Sequence, residues 1–234
     1  PTKFEKLDDS QYRFRLEIQD HNTDLRFYRI AAKILDEKIK ILLSEEIYGE
    51  SAFQNKSVLA VAGKSQSDGR GYVILSENNK EKIISKNGYF YNPKFSPDGN
   101  YIIYNTSGRE WFAKIIYDIQ KNTDILQLAY LSDENYGFTP DGEYFYACTV
   151  AGIDGTIYGE IYKLPEFNIQ YDLFEDNDIR KDMTEIMASW AMSCKYDDER
   201  KSVQFILSDK YTSSNPITKL FEYSFVDKKA HLIQ

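Results

Sequence analysis

The sequence is short of the residues from which most catalytic and metal sites are built. Its 234 residues include two cysteines and two histidines. Cys148 and Cys194 are too far apart in the chain for a short-spaced metal knuckle. Their strand-like surroundings favour buried free thiols, with a disulfide bridge as the alternative. His21 and His231 support no Ser/His/Asp arrangement and no cofactor motif is present, so neither a catalytic residue nor a cofactor is predicted.

Long apolar runs and excess positive charge are also missing. No apolar segment approaches the roughly 18 residues that a membrane-spanning helix needs, so no membrane span is predicted. The chain has 29 basic and 37 acidic side chains, a formal net charge of −8 at pH 7. This charge repels a phosphate backbone on average and argues against nucleic acid as a partner. The sequence begins at Pro1, without Met, and shows no signal peptide, which fits a processed exported protein or a domain cut from a longer chain.

The sequence is rich in aromatic residues and contains one phrase that occurs twice. Phe, Trp and Tyr make up 15% of the chain, and such residues favour strands. Phe-Ser-Pro-Asp-Gly at 95–99 returns as Phe-Thr-Pro-Asp-Gly at 138–142, 43 residues later. In this phrase Pro presets φ, Asp bonds to the backbone and Gly accepts a positive φ. A turn between aromatic strands at this period predicts a β-propeller, whose blades are four-stranded sheets.

Weaker copies of the unit extend the pattern over nearly the whole chain. We letter the four strands of a repeat a to d in chain order. The predicted fold is all-β, a single propeller domain over 1–234 with five four-stranded blades. The predicted blades cover approximately 1–47, 48–88, 89–131, 132–175 and 188–234. The alternative is a larger ring of six or seven blades, of which this chain supplies a part.

One connection is longer than the repeat requires. Phe138 and Cys194, taken as equivalent positions of the fourth and fifth repeats, are 56 residues apart, against 42 and 43 for the earlier repeats. The extra residues predict a helical insertion over 176–187, with the sequence from Asp176 to Asp178 as its N-terminal cap. The apolar residues at helical spacing are Ile179, Met183, Ile186, Met187 and Trp190. The helix is expected to pack over the rim of the channel or to dock a partner.

The motifs resemble those of the TolB-type (WD40-like) β-propeller repeat family. The resemblance is carried by the Phe-Ser-Pro-Asp-Gly phrase before an apolar strand and by a later strand that ends in the turn Asp118-Ile119-Gln120-Lys121-Asn122. It is strong over 92–128 and 136–174. It implies a binding platform more often than a catalyst, a structural role for Asp98 and Asp141, and a periplasmic or secreted location.

In a propeller the b–c loops and d–a connections lie at one end of the blades, which we call the long-loop face. Loops longer than a turn requires are where binding usually occurs. The predicted binding residues on this face are Asp20, His21, Asp68, Arg70, Arg109, Glu110, Asp154, Asp209, Met183, Met187 and Trp190. No metal is predicted. The segment that begins at Asp20 fails as a calcium loop because Leu25 and Ala31 replace the required Gly and Glu.

The sequence therefore favours a non-enzymatic binding or scaffold module that recognises a protein or cell-envelope component through the long-loop face. The alternative is a propeller that binds or hydrolyses glycans with channel-facing aromatic and carboxylate side chains. Its candidate aromatic residues are Tyr89, Tyr91, Tyr136 and Trp190. Its candidate carboxylates are Glu50, Asp133 and Glu134, for which solvation at the surface is the favoured interpretation. A third interpretation is a structural repeat segment of a longer chain.

Overall fold

A computed structural model of the chain shows a protein built from β-strands. The described backbone covers residues 3–6, 11–19, 25–35, 38–52, 58–65, 71–77, 80–108, 112–150, 157–177, 179–180, 190–209 and 218–233. Side chains are described from Gly71 onward, within 71–76, 81–85, 88–108, 112–149, 157–177, 179–180, 192–208 and 218–233. The strands belong to two compact units, residues 1–111 with 115–125 and residues 112–114 with 126–234. We call them the first and second units.

Ten consecutive strands form one sheet in which each strand pairs with its neighbours in sequence. They are β1 (Lys3–Lys6), β2 (Gln11–Gln19), β3 (Leu25–Leu35), β4 (Lys38–Ala52), β5 (Val58–Ser65), β6 (Gly71–Glu77), β7 (Lys80–Phe95), β8 (Tyr101–Ser107), β9 (Phe112–Asp118) and β10 (Thr123–Ala129). Three four-stranded repeats predict twelve strands. Ten are present, because β4 and β7 are long strands that each pair mainly with the strand before over one part of their length and with the strand after over the other.

The fourth and fifth repeats form separate four-stranded antiparallel sheets, which we call the second and third sheets. The second sheet contains β11 (Tyr136–Phe138), β12 (Tyr144–Val150), β13 (Ile157–Lys163) and β14 (Asn168–Asp172). The third contains β15 (Trp190–Asp197), β16 (Ser202–Asp209), β17 (Thr218–Ser224) and β18 (Lys229–Leu232). The all-β prediction is confirmed, whereas the number of blades and their limits stay predictions.

Strand β7 changes its hydrogen-bonding partner along its length. Up to Gly88 it pairs with β6, and from Tyr89 onward it pairs with β8. Gly71 lies opposite Gly88, and a Cβ atom on Gly71 would meet the Gly88 carbonyl oxygen at 1.7 Å. Any side chain at Gly71 would therefore force the two backbones apart. Strand d of the second repeat and strand a of the third are here one continuous strand.

The turn between strands a and b of the fourth repeat shows why its motif has these residues. Asp141 Oδ1 accepts hydrogen bonds from Thr139 Oγ1 at 2.5 Å and from the backbone N–H of Glu143 at 2.9 Å. Gly142 follows with a φ of 71°, a left-handed conformation that disfavours residues with a Cβ. The turn at 96–99 repeats this network. Asp141 thus holds the turn closed through its carboxylate.

A second kind of turn recurs in four of the described hairpins. Each has four loop residues, of which the last adopts a left-handed φ of 51–57°. These residues are Asn122, Phe167, Lys201 and Lys228. Three of the four turns join strands c and d, but Lys201 lies between β15 and β16, the a and b strands of the fifth repeat. There Asp197 Oδ1 accepts the N–H groups of Glu199 and Arg200 at 3.0 and 3.1 Å. The fifth repeat therefore has a different turn, which explains its missing Pro-Asp-Gly.

This turn corrects the predicted alignment of the fifth repeat. Tyr196 pairs with Val203 one step before the turn, as Phe138 pairs with Phe145 in the fourth repeat. Tyr196, and not Cys194, is therefore equivalent to Phe138. The sequence placed the repeat two residues too early because no Pro-Asp-Gly marks its turn.

The predicted helical insertion is described only at its start. Asp176 Oδ2 accepts the Tyr171 hydroxyl at 3.0 Å, and the Asp176 carbonyl accepts Arg180 N–H at 2.9 Å. Ile179 follows and is buried in the core of the second unit. Residues 181–189 lie outside the described residues, so the insertion stays a prediction. Trp190 was predicted to share the helical spacing but is the first residue of β15, because ladder pairing with β16 determines its conformation.

Each unit has its own apolar core. In the first unit Val73, Ile102 and Tyr104 are buried together, and Phe90 meets Tyr104 edge to face with ring centroids 5.7 Å apart. In the second unit side chains from the second and third sheets pack together, with Phe205 and Phe221 fully buried. Burial of such side chains contributes about 1.5–3 kcal/mol each. In the second unit this packing joins two sheets that share no backbone ladder.

Replacing Asp141 by Ala should destabilise the second unit. The substitution removes the acceptor for Thr139 Oγ1 and Glu143 N–H, and we expect a loss of about 1 kcal/mol in the free energy of unfolding. Urea denaturation at pH 7 measures this loss. Asp198→Ala is the matched control, since Asp198 lies in an exposed turn with only a 3.6 Å ion pair to Lys201. Equal losses in both variants would contradict the role given to Asp141.

The same carboxylate should make stability depend on pH. Burial opposes ionisation of Asp141, but the hydrogen bonds from Thr139 and Glu143 outweigh it and hold the pKa of this carboxyl below its usual value. A lowered pKa in the folded state adds stability above the unfolded pKa near 4, and this stability is lost as the pH falls through the folded pKa. Between pH 5 and pH 3, Asp141→Asn should therefore lose less stability than the natural chain. An equal or larger loss in Asp141→Asn would refute this assignment.

Candidate binding face

Most of the predicted binding residues lie outside the described residues. These are Asp20, His21, Asp68, Arg70, Arg109, Glu110, Asp154, Met183 and Met187. For Trp190 and Asp209 the backbone alone is described. The two are paired across β15 and β16, at the end of the third sheet where the long-loop face was predicted. The structure thus brings two of the predicted residues together, and for the others the site stays a prediction.

The described part of the long-loop face is organised by the connection 130–135 between β10 and β11. Tyr130 N–H donates to the carbonyl of Phe112 at 2.8 Å, and the Tyr130 carbonyl accepts Thr149 Oγ1 at 3.1 Å. Tyr130 reaches both partners with a φ of 55°, which is uncommon for a bulky residue. Backbone strain of this kind persists where the surroundings over-determine it. The start of β9 and the end of β12 are thereby fixed to this connection.

Asn135 ends the connection and binds two strands at once. Its Nδ2 donates to the carbonyl of Met192 at 3.0 Å, which ties it to β15. Its own carbonyl accepts the backbone N–H of Cys148 at 2.9 Å and the thiol of Cys194 at 3.1 Å. One residue therefore supplies hydrogen bonds to both the second and the third sheet.

A buried lysine lies beneath the connection. The side chain of Lys114 on β9 is 3% exposed and forms an ion pair with Asp133, which is 44% exposed. Lys114 Nζ also lies 4.9 Å from the centre of the Tyr136 ring, a distance at which a cation is attracted to the ring face. Burial, and to a lesser degree Asp133, raises the pKa of Tyr136, so its hydroxyl stays protonated at neutral pH. The sequence favoured a solvated surface carboxylate at Asp133, whereas in the structure this carboxylate pairs with a buried lysine.

The surface above this ion pair is acidic and aromatic. The Phe112 ring is 40% exposed and meets the Tyr130 ring edge to face, with centroids 5.5 Å apart. Asp133 and Glu134 are exposed beside them in the same connection. We call Phe112, Tyr130, Asp133 and Glu134 the acidic–aromatic patch. It combines an apolar contact surface with two carboxylates, of which Asp133 is held in place by its ion pair with Lys114.

The described histidine lacks the geometry of a hydrolytic triad. His231 Nε2 lies 2.8 Å from Asp227 Oδ2 in the β17–β18 hairpin. Ser224 also bonds to Asp227, so the carboxylate lies between the hydroxyl and the imidazole. A nucleophilic serine requires the imidazole in that central position. This group therefore closes a turn at the end of the sheet opposite the long-loop face.

Two paired carboxylates occur on the outer strands of the second sheet. Glu160 and Asp172 are cross-strand partners in β13 and β14. Burial raises the pKa of Glu160, the hydrogen bond from Tyr162 opposes this effect, and Asp172 adds to it. The glycosidase hypothesis requires carboxylates on inner strands around a channel, whereas these lie on strands c and d. Glu160 and Asp172 therefore do not supply the predicted carboxylate pair.

The described residues include no group of three or more side chains suited to hold a metal ion. In the same part of the chain, none of the helical segments has the length and apolarity needed to span a bilayer.

Sequence reasoning missed Lys114 and Asn135. Lys114 is a single basic residue inside the apolar strand Phe112–Asp118, and a charge in such a strand predicts burial with a carboxylate partner. That signal was available, although it does not identify Asp133 as the partner. Asn135 carried no signal, because its partners are strands that follow much later in the chain.

Comparison with known proteins returns similar structures but no similar sequences. No family model matches the chain, and no curated protein matches it. TolB from Acinetobacter baumannii is 13% identical, with 95% of this chain and 56% of that chain covered and a TM-score of 0.39. The β-propeller domain of the Trilobed protease from Pyrococcus furiosus is 12% identical, with 96% and 68% covered and a TM-score of 0.46.

An acylaminoacyl peptidase from Pyrococcus horikoshii is 10% identical, with 96% of this chain and 38% of that chain covered and a TM-score of 0.47. This chain thus spans less than two thirds of the Acinetobacter baumannii TolB and of the peptidase. The structures similar to it include TolB and other β-propeller proteins, at low sequence identity, as the repeated motifs predicted.

Removing Asp133, the partner of Lys114, should lower the free energy of unfolding more than removing the charge of the neighbouring Glu134. Asp133→Ala leaves a buried ammonium without this carboxylate, and we expect a loss of about 1–2 kcal/mol in the free energy of unfolding. Glu134→Gln is the matched control and should change stability by less than about 0.5 kcal/mol. Denaturant titration of both variants measures the difference. A double-mutant cycle with Lys114→Met should show coupling between residues 114 and 133; additive effects would argue against the ion pair.

Proposed function

We propose that the chain is a non-enzymatic binding module that docks a protein or cell-envelope component through its long-loop face. The observation that carries this proposal is the acidic–aromatic patch. Exposed aromatic rings beside fixed charges are typical of protein interaction surfaces, where aromatic residues supply contact area and charges select the partner. The repeated TolB-type motifs, which imply a binding platform, point the same way.

The chemistry of the patch defines the partner. Phe112 and Tyr130 offer edge-to-face rings, the first exposed and the second half-buried, and Asp133 and Glu134 add two negative charges. The whole chain is also acidic, with a formal net charge of −8. A partner segment that carries Lys or Arg together with apolar or aromatic side chains is complementary in both respects. We therefore infer that the partner is a protein with a basic, partly apolar docking segment.

Preorganisation favours binding at this place. The connection 130–135 has hydrogen bonds at Tyr130 and Asn135 and an ion pair at Asp133. A surface that is ordered before the partner arrives loses little conformational entropy when it binds. The predicted residues outside the described part, among them Asp154 and Met187, extend this proposal to further loops of the same face.

The proposal is tested with the full chain and an array of immobilised peptides. The probes are 15-residue peptides of basic–aromatic, acidic–aromatic and neutral composition. We expect selective binding to the basic–aromatic peptides, weakened by added salt because exposed charges are screened. Glu134→Lys should reduce this binding about tenfold through charge reversal, and Phe112→Ser should reduce it through loss of apolar contact.

Val226→Ser is the matched control for Phe112→Ser. Val226 is 96% exposed in the β17–β18 turn, so it is an apolar surface residue remote from the patch within the same unit. Binding that is equal to all peptides, or equally affected by Val226→Ser and Phe112→Ser, would refute the proposal. Absent peptide binding together with recognition on a glycan array, lost in Tyr89→Ala, would support the glycan alternative, because Tyr89 exposes 51% of its surface beside Tyr91.

A further inference from the structure

The two cysteines lie together in the core of the second unit. Cys148 is on β12 of the second sheet and Cys194 is on β15 of the third sheet. Both thiols are free, and the two residues are 0% and 2% exposed. Cys148 and Cys194 belong to the same core cluster, in which side chains of the second and third sheets pack together. The predicted burial of both cysteines is thus confirmed, and the structure adds that they lie in one core cluster.

The backbone around the pair holds the thiols in this arrangement. The carbonyl oxygen of Asn135 accepts the Cys148 N–H at 2.9 Å and the Cys194 thiol at 3.1 Å. Cys148 is paired with Gly159 in its sheet, and Cys194 is paired with Phe205 in the other. Both cysteines therefore lie inside regular ladders. Because the two bonds end on one oxygen atom, the Cys194 sulfur lies close to the Cys148 backbone.

We propose that Cys148 and Cys194 form a disulfide that links the second and third sheets when the chain folds under oxidising conditions. The oxidant is a disulfide, either a small molecule such as oxidised glutathione or a thiol–disulfide oxidoreductase. One cysteine thiolate attacks the oxidant and forms a mixed disulfide, which releases the first thiol of the oxidant. The second cysteine thiolate then displaces the remaining thiol. The cysteines lose two electrons to the oxidant, and their two protons end on the released thiols.

Burial determines when this reaction can occur. Burial raises the pKa of the Cys148 thiol, and the contact with Cys194 raises it further. The folded, reduced protein therefore presents little thiolate and reacts slowly, because the thiolate is the attacking species. The bridge forms while the chain folds, before the core closes. Once formed, it is shielded from reductants by the same burial.

The bridge would join the second and third sheets, which no backbone ladder connects. It closes the chain between 148 and 194, which contains the long connection to the fifth repeat. A cross-link over such an interval restricts the unfolded chain and so stabilises the folded one. It would also retain the contact between β12 and β15 if hydrogen bonds to Asn135 opened.

The test compares full-length chain refolded in a glutathione redox buffer with the same chain refolded in dithiothreitol. Thiols are counted in denaturant and the intact mass is measured. We expect two thiols per chain after dithiothreitol and none after glutathione, with a mass lower by two hydrogen atoms. The oxidised monomer should melt about 5–15 °C above the reduced one. Cys148→Ala and Cys194→Ala should each keep one thiol or carry one glutathione, and neither should gain this shift.

Three outcomes would overturn the proposal. These are two thiols that persist after refolding in glutathione, glutathione adducts or linked dimers in place of an internal bridge, and an internal bridge that lowers the melting temperature. The Cys148→Ala/Cys194→Ala double variant, refolded in both buffers, shows whether glutathione itself changes the melting temperature. The thiol count on the natural chain needs no variant to fold, so a misfolded variant does not affect the conclusion.

Discussion

The second unit depends on how the connection 130–135 satisfies its backbone and side-chain polar groups. This segment leaves one sheet and enters another, so strand pairing cannot supply its hydrogen bonds, and unpaired buried groups are costly. Tyr130 meets this requirement through Phe112 and Thr149. Asn135 meets it through Cys148 and Met192. The same bonds fix β9, β12 and β15 to one short stretch of chain.

The chemistry of the long-loop face follows from this constraint. Because the connection is held at both ends, Asp133 is brought over Lys114, and the buried ammonium gains a carboxylate and the Tyr136 ring as partners. Glu134 is left exposed beside Asp133, and the Phe112 ring lies against Tyr130. The proposed binding surface thus consists of residues that also have a structural role. The Asn135 carbonyl also accepts the Cys148 N–H and the Cys194 thiol, so the proposed binding surface and the proposed disulfide depend on the same residue.

The parts of this structure that sequence predicts are those that local chemistry determines. Asp141 and Gly142 define their turn within a few residues, and the repeated phrase therefore measures the repeat correctly. The fifth repeat was misaligned because Asp197 and Lys201 build a different turn that the phrase does not describe. Trp190 follows helical spacing in the sequence but joins a ladder with Asp209, since tertiary pairing overrides local pattern. Lys114 and Asn135 have partners 19 and 57 residues away, and no local signal identifies such pairs.

The central claim is that Asn135 couples the connection to β15 and so keeps the patch ordered. Amide hydrogen exchange, resolved by mass spectrometry, tests it directly in the natural chain and in Asn135→Ala, which keeps the backbone and removes the donor to Met192. The account predicts faster exchange in the connection and in β15, with unchanged exchange in the β17–β18 hairpin. Unchanged exchange in the connection and β15, or equally faster exchange in the β17–β18 hairpin, would contradict it.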